Sequence, residues 1–495
     1  MTADTTDRNT YRLSSRNRGI IFILLIATFV VILNETIMNV ALPKLMVDLH
    51  LGAGTVQWLA TAFMLTMAVI IPTTGFLIQR LSTRTVFLAA LGLFSLGTLI
   101  AGLAPGFPVL LVGRVVQASG TAIMLPLLIT TVLALVPAER RGAVMGTISI
   151  VISVAPAIGP TLSGLILEVL PWRFLFLCVL PIALLVLAYG ARQLVNVGET
   201  NKSTLDIPSV VLSALGFGGL VYGFSSAGDG GWGSPKVLAT LAIGGLSLLV
   251  FVLRQLALGR KDAPLLDLRA FRYPMFTLSV VVIMIAMMAL FGGAIMLPIY
   301  LQNLRGLGSL GTGLLLLPGG LLMGLAAPTV GKLFDRHGPV ALSSSGAALL
   351  TLSLWRFSAL SAETPVWMLL ALHLMFSLGL ALLFTPILAT GLNPLPSRLY
   401  SHGSAIMSTL QMVSGAVGTA LLVTVMTTRA VSLRGAVSPE LAQISGLQLA
   451  FAVATGIAVF AFLLTFFLRR VLPGESDSEG QIGGDAELQP VSSSH

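Results

Sequence analysis

Residues 19–42 read GIIFILLIATFVVILNETIMNVAL, an apolar run with a single charged residue, Glu35. A transmembrane helix needs about 20 apolar residues to cross roughly 30 Å of hydrocarbon, so this run predicts a membrane span. A secretory signal peptide has a shorter apolar stretch that ends in a small-residue cleavage site. We therefore expect residues 19–42 to remain as the first span.

The composition extends this prediction to the whole chain. Of the 495 residues, 56% are hydrophobic and only 9% are charged, whereas soluble domains carry about 25% charged residues. The apolar runs are long and unbroken, which favours helices over the alternating ten-residue segments of a membrane barrel. The net charge of +9 is scattered between the runs, so nucleic acid is not an expected partner. Cys178 is the single cysteine, and no spacing typical of a metal site is present.

Fourteen apolar runs predict fourteen transmembrane helices. They are 19–42, 54–78, 85–103, 107–136, 142–167, 172–192, 207–226, 237–258, 274–301, 309–331, 339–360, 365–390, 400–427 and 446–468. With the N-terminus inside, 20 of the 28 Lys and Arg residues fall on the inner side and 7 fall in outer loops. Because Lys and Arg in short loops are retained in the cytoplasm, both termini are predicted to be cytoplasmic.

An internal repeat divides the chain into two halves. The segments GFLIQR at 75–80 and GKLFDR at 331–336 follow the second and tenth runs, and transporters often retain such repeated halves. The copies are eight spans apart, which predicts two six-helix bundles with two inserted helices, 207–226 and 237–258. The predicted parts are a cytoplasmic segment 1–18, a first bundle 19–192, linkers and inserted helices 193–273, a second bundle 274–468 and a cytoplasmic disordered tail 469–495.

Two charged residues lie deep inside predicted spans. Glu35 and Arg114 both fall roughly 10 Å below the outer edge of the membrane at 1.5 Å per residue, so we expect them to pair. Charges at such depth are costly and usually functional. A carboxylate that is alternately open to the two sides can bind and release a proton, which predicts a proton-coupling element; a static buried ion pair is the alternative.

Four further polar residues lie within the spans. They are Asn34, Asn39, Gln117 and His373. We expect them to line a central cavity, although each one taken singly also fits interhelical hydrogen bonding. Flexible Met and aromatic side chains adapt to many ligand shapes. We expect five such side chains to contact substrate, with ordinary packing as the alternative: Phe63, Met64, Met284, Met287 and Met288.

The sequence resembles the major facilitator superfamily, and within it the fourteen-span drug:proton antiporters, over nearly its whole length. NETIMNVALP at 34–43 is similar to the family's first-span signature, with Asn34 in the usual acid position and the acid at Glu35. Arg114 and Gln117 match the fourth-span motif, whose arginine the family associates with proton transfer. The resemblance thus implies a major facilitator fold, all-α and membrane-embedded.

The most discriminating resemblance lies in the fifth span. Gly146, Ala155, Gly159, Pro160 and Gly164 fit the antiporter motif, which in the family accompanies export rather than uptake. Small residues there also let helices approach closely, so the same residues fit a generic packing seam between helices equally well.

The repeated segments resemble the family's cytoplasmic latch. The first copy keeps Gly75, Arg80 and Arg84 but has Gln79 in place of the acid. The second copy keeps Gly331, Asp335 and Arg336. We therefore expect the second copy to carry more of the latch.

The predicted function is multidrug efflux at the plasma membrane, the inner membrane of a bacterium, with antibiotic resistance as its outcome. An imported proton would drive an apolar or cationic small molecule outward by alternating access, with the proton gradient as energy source and no cofactor. The chain would act as a monomer in the lipid bilayer. An exporter of an endogenous metabolite, lipid or peptide, or a proton symporter, remains the alternative on the same fold. No metalloprotease or nucleotide-binding motif supports an enzyme.

Overall fold

The described residues of the computed structural model, 14–197, 205–261 and 264–471, form a membrane-type helical bundle. Within them, fourteen helical segments are long and apolar enough to cross a membrane, as the sequence predicts. The helices are α1 (Ser15–Asp48), α2 (Ala53–Arg80), α3 (Thr83–Gly102), α4 (Phe107–Leu135), α5 (Arg141–Val169), α6 (Phe174–Leu177), α7 (Val179–Gln193), α8 (Ile207–Gly230), α9 (Pro235–Gly259), α10 (Pro274–Ile299), α11 (Ser309–His337), α12 (Pro339–Phe357), α13 (Val366–Leu392), α14 (Tyr400–Ser432) and α15 (Pro439–Thr465). Helices α6 and α7 together make the sixth span. The predicted tail from residue 472 lies outside the described residues.

Capping residues set helix ends that hydropathy alone misplaces. Helix α15 begins at Pro439 rather than at residue 446, because the Ser438 hydroxyl accepts a hydrogen bond from the Leu441 N–H. Helix α11 continues to His337 instead of ending near residue 331. It ends there because Gly338 adopts a φ of 77°, a conformation that favours glycine. The second latch copy therefore lies on the last turns of a helix and not in a loop.

The helices pack as two bundles with an inserted hairpin between them. In the first bundle α1 packs on α5, α4 and α7, and α3 packs on α4; in the second, α10 packs on α14 and α12 on α13. The inserted hairpin, α8 with α9, contacts both bundles through α8, which packs on α2 and on α14. Helix α9 packs on α8, and much of its apolar surface is exposed. These contacts match the helix order that the repeat predicts.

The two bundles pack together along α5 and α11, and this close contact extends to one end of the helices. We call it the basic end: α2, α4, α11 and α13 end there, and α3, α5, α12 and α14 begin there. A Cβ added to Gly146 of α5 would lie 2.4 Å from the Ala327 carbonyl oxygen of α11, and one added to Gly331 would lie 2.1 Å from the Gly142 carbonyl oxygen. Such distances require glycine. The charge pattern predicts that the basic end faces the cytoplasm.

Candidate functional site

Arg114 is held in the interior of the first bundle. Its side chain is 1% exposed, and its guanidinium lies 4.0 Å from the centroid of the Phe63 ring. Nη1 donates to the Gln117 side-chain oxygen at 2.7 Å, and Nε donates to the Leu59 carbonyl at 3.5 Å. Gln117 in turn donates to the Thr98 hydroxyl at 2.8 Å. The guanidinium is therefore held by α2, α3 and α4 through contacts that do not involve a carboxylate.

Glu35 lies within electrostatic range of this guanidinium. The two side chains interact through their charges, but no carboxylate oxygen of Glu35 comes within 4.0 Å of a guanidinium nitrogen. Glu35 is only partly buried, on a stripe of partly exposed α1 residues that includes Ile32 and Thr36. Among the described residues it has no hydrogen-bond partner. The two residues that depth predicts to pair thus lie in electrostatic range of each other in the first bundle, but they form no ion pair within 4.0 Å.

The remaining polar residues predicted for the cavity have different surroundings. Asn34 is 2% exposed, and its side-chain oxygen has no hydrogen-bond partner within the described residues. His373 lies between α13 and α11, where its Nε2 is 3.0 Å from the Leu316 carbonyl oxygen and its ring stacks on Phe376. His373 therefore belongs to the packing of the second bundle. The side chain of Asn39 lies outside the described part of the structure.

The small residues predicted as an antiporter motif face different neighbours. Gly146 contacts α11 of the second bundle, while a Cβ at Gly159 would lie 2.2 Å from the Thr36 hydroxyl of α1. Ala155 is fully buried, and its carbonyl accepts a hydrogen bond from Thr36 at 3.5 Å. Gly164 has open space around the position of a Cβ, and the side chain of Pro160 is not described. The motif thus places α5 against α1 beside Glu35 and against the opposite bundle at the basic end.

Asp335 joins the bundles at the basic end. Its two carboxylate oxygens accept hydrogen bonds from the Gly142 and Ala143 N–H groups, each at 2.9 Å. These N–H groups belong to the first turn of α5, where the helix dipole favours an anion. Gly331 allows the close approach, and Arg336 is exposed on the last turn of α11. The second latch copy therefore contacts the first bundle directly.

The first latch copy makes the corresponding contact on the other side of the interface. Gly75 of α2 packs against His402 of α14, and the Gln79 amide donates to the Arg398 carbonyl at 2.7 Å. Gln79, in the usual acid position, therefore bridges the bundles without a charge. Arg84 donates to the Ala191 carbonyl at 2.6 Å inside the first bundle, and Arg80 is exposed at the end of α2.

A buried group beside this latch is not predicted from the sequence. Arg141, one of the Lys and Arg residues on the predicted inner side, is 5% exposed and contacts both bundles. Its partners in the second bundle, Asn393 and Tyr400, are likewise not predicted from the sequence. The signal available was the pair Arg140-Arg141 directly before an apolar run, which does not reveal that one side chain turns inward.

Comparisons with known proteins establish the class. The sequence matches the Major Facilitator Superfamily over residues 24–419. It is 42% identical over 458 residues to the lincomycin resistance protein LmrB of Bacillus subtilis (strain 168), covering 90% of this chain and 95% of LmrB. It is also 42% identical over 455 residues to the uncharacterized MFS-type transporter YcnB of the same organism, covering 92% of this chain and 96% of YcnB.

A solved structure agrees in fold. The human organic anion transporter MFSD10 (TETRAN) superposes with a TM-score of 0.64 at 14% identity, covering 91% of this chain and 99% of that one. At this identity the likeness shows the fold alone. The protein is a multi-pass membrane transporter and not an enzyme. It belongs to the Major Facilitator Superfamily, as its motifs predict.

Proposed function

We propose that this transporter exports toxic small molecules, apolar or cationic, in exchange for protons. The observation that carries the proposal is the Glu35–Arg114 pair: a carboxylate deep in a span, within electrostatic range of a buried guanidinium yet held by no hydrogen bond among the described residues. An unbonded carboxylate loses no specific contact when it binds a proton. Arg114 keeps its bonds to Gln117 and Leu59 in either state.

Coupling requires the proton and the substrate to favour different states or to compete for one site. Among the described residues, Glu35 is the one carboxylate more than two residues from either end of its helix, so a cationic substrate and a proton would compete for it. Proton binding at the outer side would release the cation. Proton loss to the cytoplasm would restore the anionic site.

Coupling also requires that the central site is never open to both sides of the membrane at once, and alternating access meets this requirement. In this arrangement the bundles contact each other at the basic end through Asp335 and the first turn of α5. We infer that this end faces the cytoplasm, with both termini, and that the described state is closed toward the cytoplasm. The transporter would act as a monomer with no cofactor besides the proton gradient.

The drug-resistance assignment draws support from the relatives. LmrB is named for lincomycin resistance, and another relative, 27% identical over 407 residues, is named multidrug resistance protein B homolog. The antiporter motif in α5 agrees with export. The alternative is an exporter of an endogenous metabolite, lipid or peptide, or a proton symporter. The first predicts that none of the drugs is transported, and the second predicts transport in the same direction as the protons.

Transport by purified protein in vesicles with an imposed pH gradient tests the proposal. The substrates are lincomycin, the cationic dye ethidium and an uncharged dye, each followed in both gradient directions. Wild-type protein is expected to move at least one of them against the proton flux. Glu35→Gln should remove gradient-driven transport, and the exposed Glu168→Gln on α5 should not. Gradient-driven transport that survives in Glu35→Gln would exclude Glu35 as the coupling site.

A further inference from the structure

Arg141 joins α4 to α5 within the first bundle. Its Nε donates to the Val136 carbonyl at 3.0 Å, and its Nη2 donates to the Leu133 carbonyl at 2.8 Å. These carbonyls belong to the end of α4, where the last turn leaves its acceptors without helical partners. The negative end of the helix dipole also lies there and favours a cation. The guanidinium therefore has a stable position that depends on its own bundle alone.

The same guanidinium also reaches the second bundle. Nη2 donates to the Tyr400 hydroxyl at 2.9 Å, Nη1 donates to the Asn393 side-chain oxygen at 3.3 Å, and the Tyr400 ring centroid is 5.0 Å from the guanidinium carbon. All three groups are buried. No described carboxylate lies within 4.0 Å of Arg141. The contact between the bundles thus uses a cation and neutral acceptors.

We propose that Arg141 is a gate residue that closes the basic end by inserting its guanidinium between Asn393 and Tyr400. The inference rests on the alternating access proposed above. When the bundles separate, the bonds to Leu133 and Val136 persist because they lie within one bundle. Only the bonds to Asn393 and Tyr400 break, and water replaces them. The gate can therefore open without leaving an unpaired buried charge.

This gate is chemically distinct from the neighbouring latch. Asp335 accepts hydrogen bonds from the backbone of Gly142 and Ala143, so substitutions in α5 leave its donors in place. Arg141 donates through its side chain to two other side chains, each of which can be replaced singly. Tyr400→Phe keeps the ring and removes one hydrogen bond from a cation. A bond of this kind corresponds to roughly a 10- to 100-fold change in the ratio of closed to open protein.

Distances between spin labels at the basic end test the gate. Labels at Thr85 of α3 and Val340 of α12, both exposed, report the separation of the bundles once Cys178 is replaced by serine. Tyr400→Phe and Asn393→Ala should each add a longer-distance population, and Arg141→Lys should add a larger one because lysine lacks the planar fork of donors. Tyr189→Phe, at an exposed tyrosine of α7, is the matched control and should leave the distances unchanged.

The outcomes separate the gate from the transport proposal. Unchanged distances in both Tyr400→Phe and Asn393→Ala would overturn the gate, even if Arg141→Lys changed them, because Arg141 would then only join α4 to α5. The measurement needs no substrate and no pH gradient. Shifted distances in a protein that fails to exchange drugs for protons would support the gate and refute the proposed cargo or coupling.

Discussion

Replacement of Asp335 by asparagine should weaken the closed state at the basic end. The carboxylate accepts two hydrogen bonds from the first turn of α5, each 2.9 Å long. Asparagine keeps one acceptor oxygen, loses the charge and presents an NH₂ group to the other N–H donor. The loss of one charge-assisted bond corresponds to about 1.5–3 kcal/mol, and the interaction with the helix dipole adds about 0.3–1 kcal/mol.

Asp335 is partly exposed, so the lower part of this range applies. A loss of about 1.5–2 kcal/mol changes the ratio of closed to open protein roughly 10- to 30-fold. The spin-label pair at Thr85 and Val340 should then show a longer-distance population in Asp335→Asn. Asp48→Asn, whose carboxylate pairs with Lys44 at 3.2 Å on the exposed end of α1, is the matched control. Equal distance distributions in wild type and Asp335→Asn would refute the assignment of Asp335 as a latch.

Three further predictions follow from contacts at the interface and in the inserted hairpin. Gly331→Ala should impair transport, because its Cβ would lie 2.1 Å from the Gly142 carbonyl, whereas Gly456→Ala, with open space around it, should not; vesicle transport rates compare them, and equal rates would contradict the close packing. The hydrogen bond from Arg254 is the main cause that lowers the pKa of Asp206 to about 2, so Asp206→Asn should lower Tm by the same amount from pH 5 to pH 8. That difference should shrink only as the pH falls below about 4 toward the folded pKa, because the lowered pKa stabilises the protein above the unfolded value; a difference that vanished near pH 6 would be inconsistent with it. Trp232→Phe removes the 2.6 Å bond from the indole to the Thr424 hydroxyl, about 0.5–1.5 kcal/mol, and should lower Tm slightly with transport retained; an unchanged Tm would mean that this bond does not hold the hairpin to α14.

The fold could be predicted because a helix that crosses the membrane must have a certain length and hydropathy, and both can be measured on the sequence. Runs of about 20 apolar residues specify the spans, and the repeat at 75–80 and 331–336 specifies the two halves. Helix ends were predicted less well, since Ser438 and Gly338 act through local hydrogen bonds and backbone conformation rather than through hydropathy. The family assignment followed from motifs and is confirmed over residues 24–419.

The candidate site could be predicted only in part. The depth of a residue in the membrane follows from its position in a span, so Glu35 and Arg114 could be predicted to lie at the same depth. The direction in which a side chain points around the helix axis could not be predicted in this way. Phe63, expected to contact substrate, has its ring against the Arg114 guanidinium. Arg141 looked like an ordinary cytoplasmic charge because the sequence does not show that Tyr400 and Asn393 lie opposite it.

Proton release on substrate binding tests directly whether the substrate and the proton compete for Glu35. Purified wild-type protein in weakly buffered detergent is mixed with a transported cation while a pH indicator reports free protons. Because linkage is reciprocal, a substrate that competes with the proton at Glu35 must displace it, so wild type and Glu168→Gln should release protons and Glu35→Gln should not. Equal proton release by Glu35→Gln, with substrate bound, would show that Glu35 is not the site for which the substrate and the proton compete.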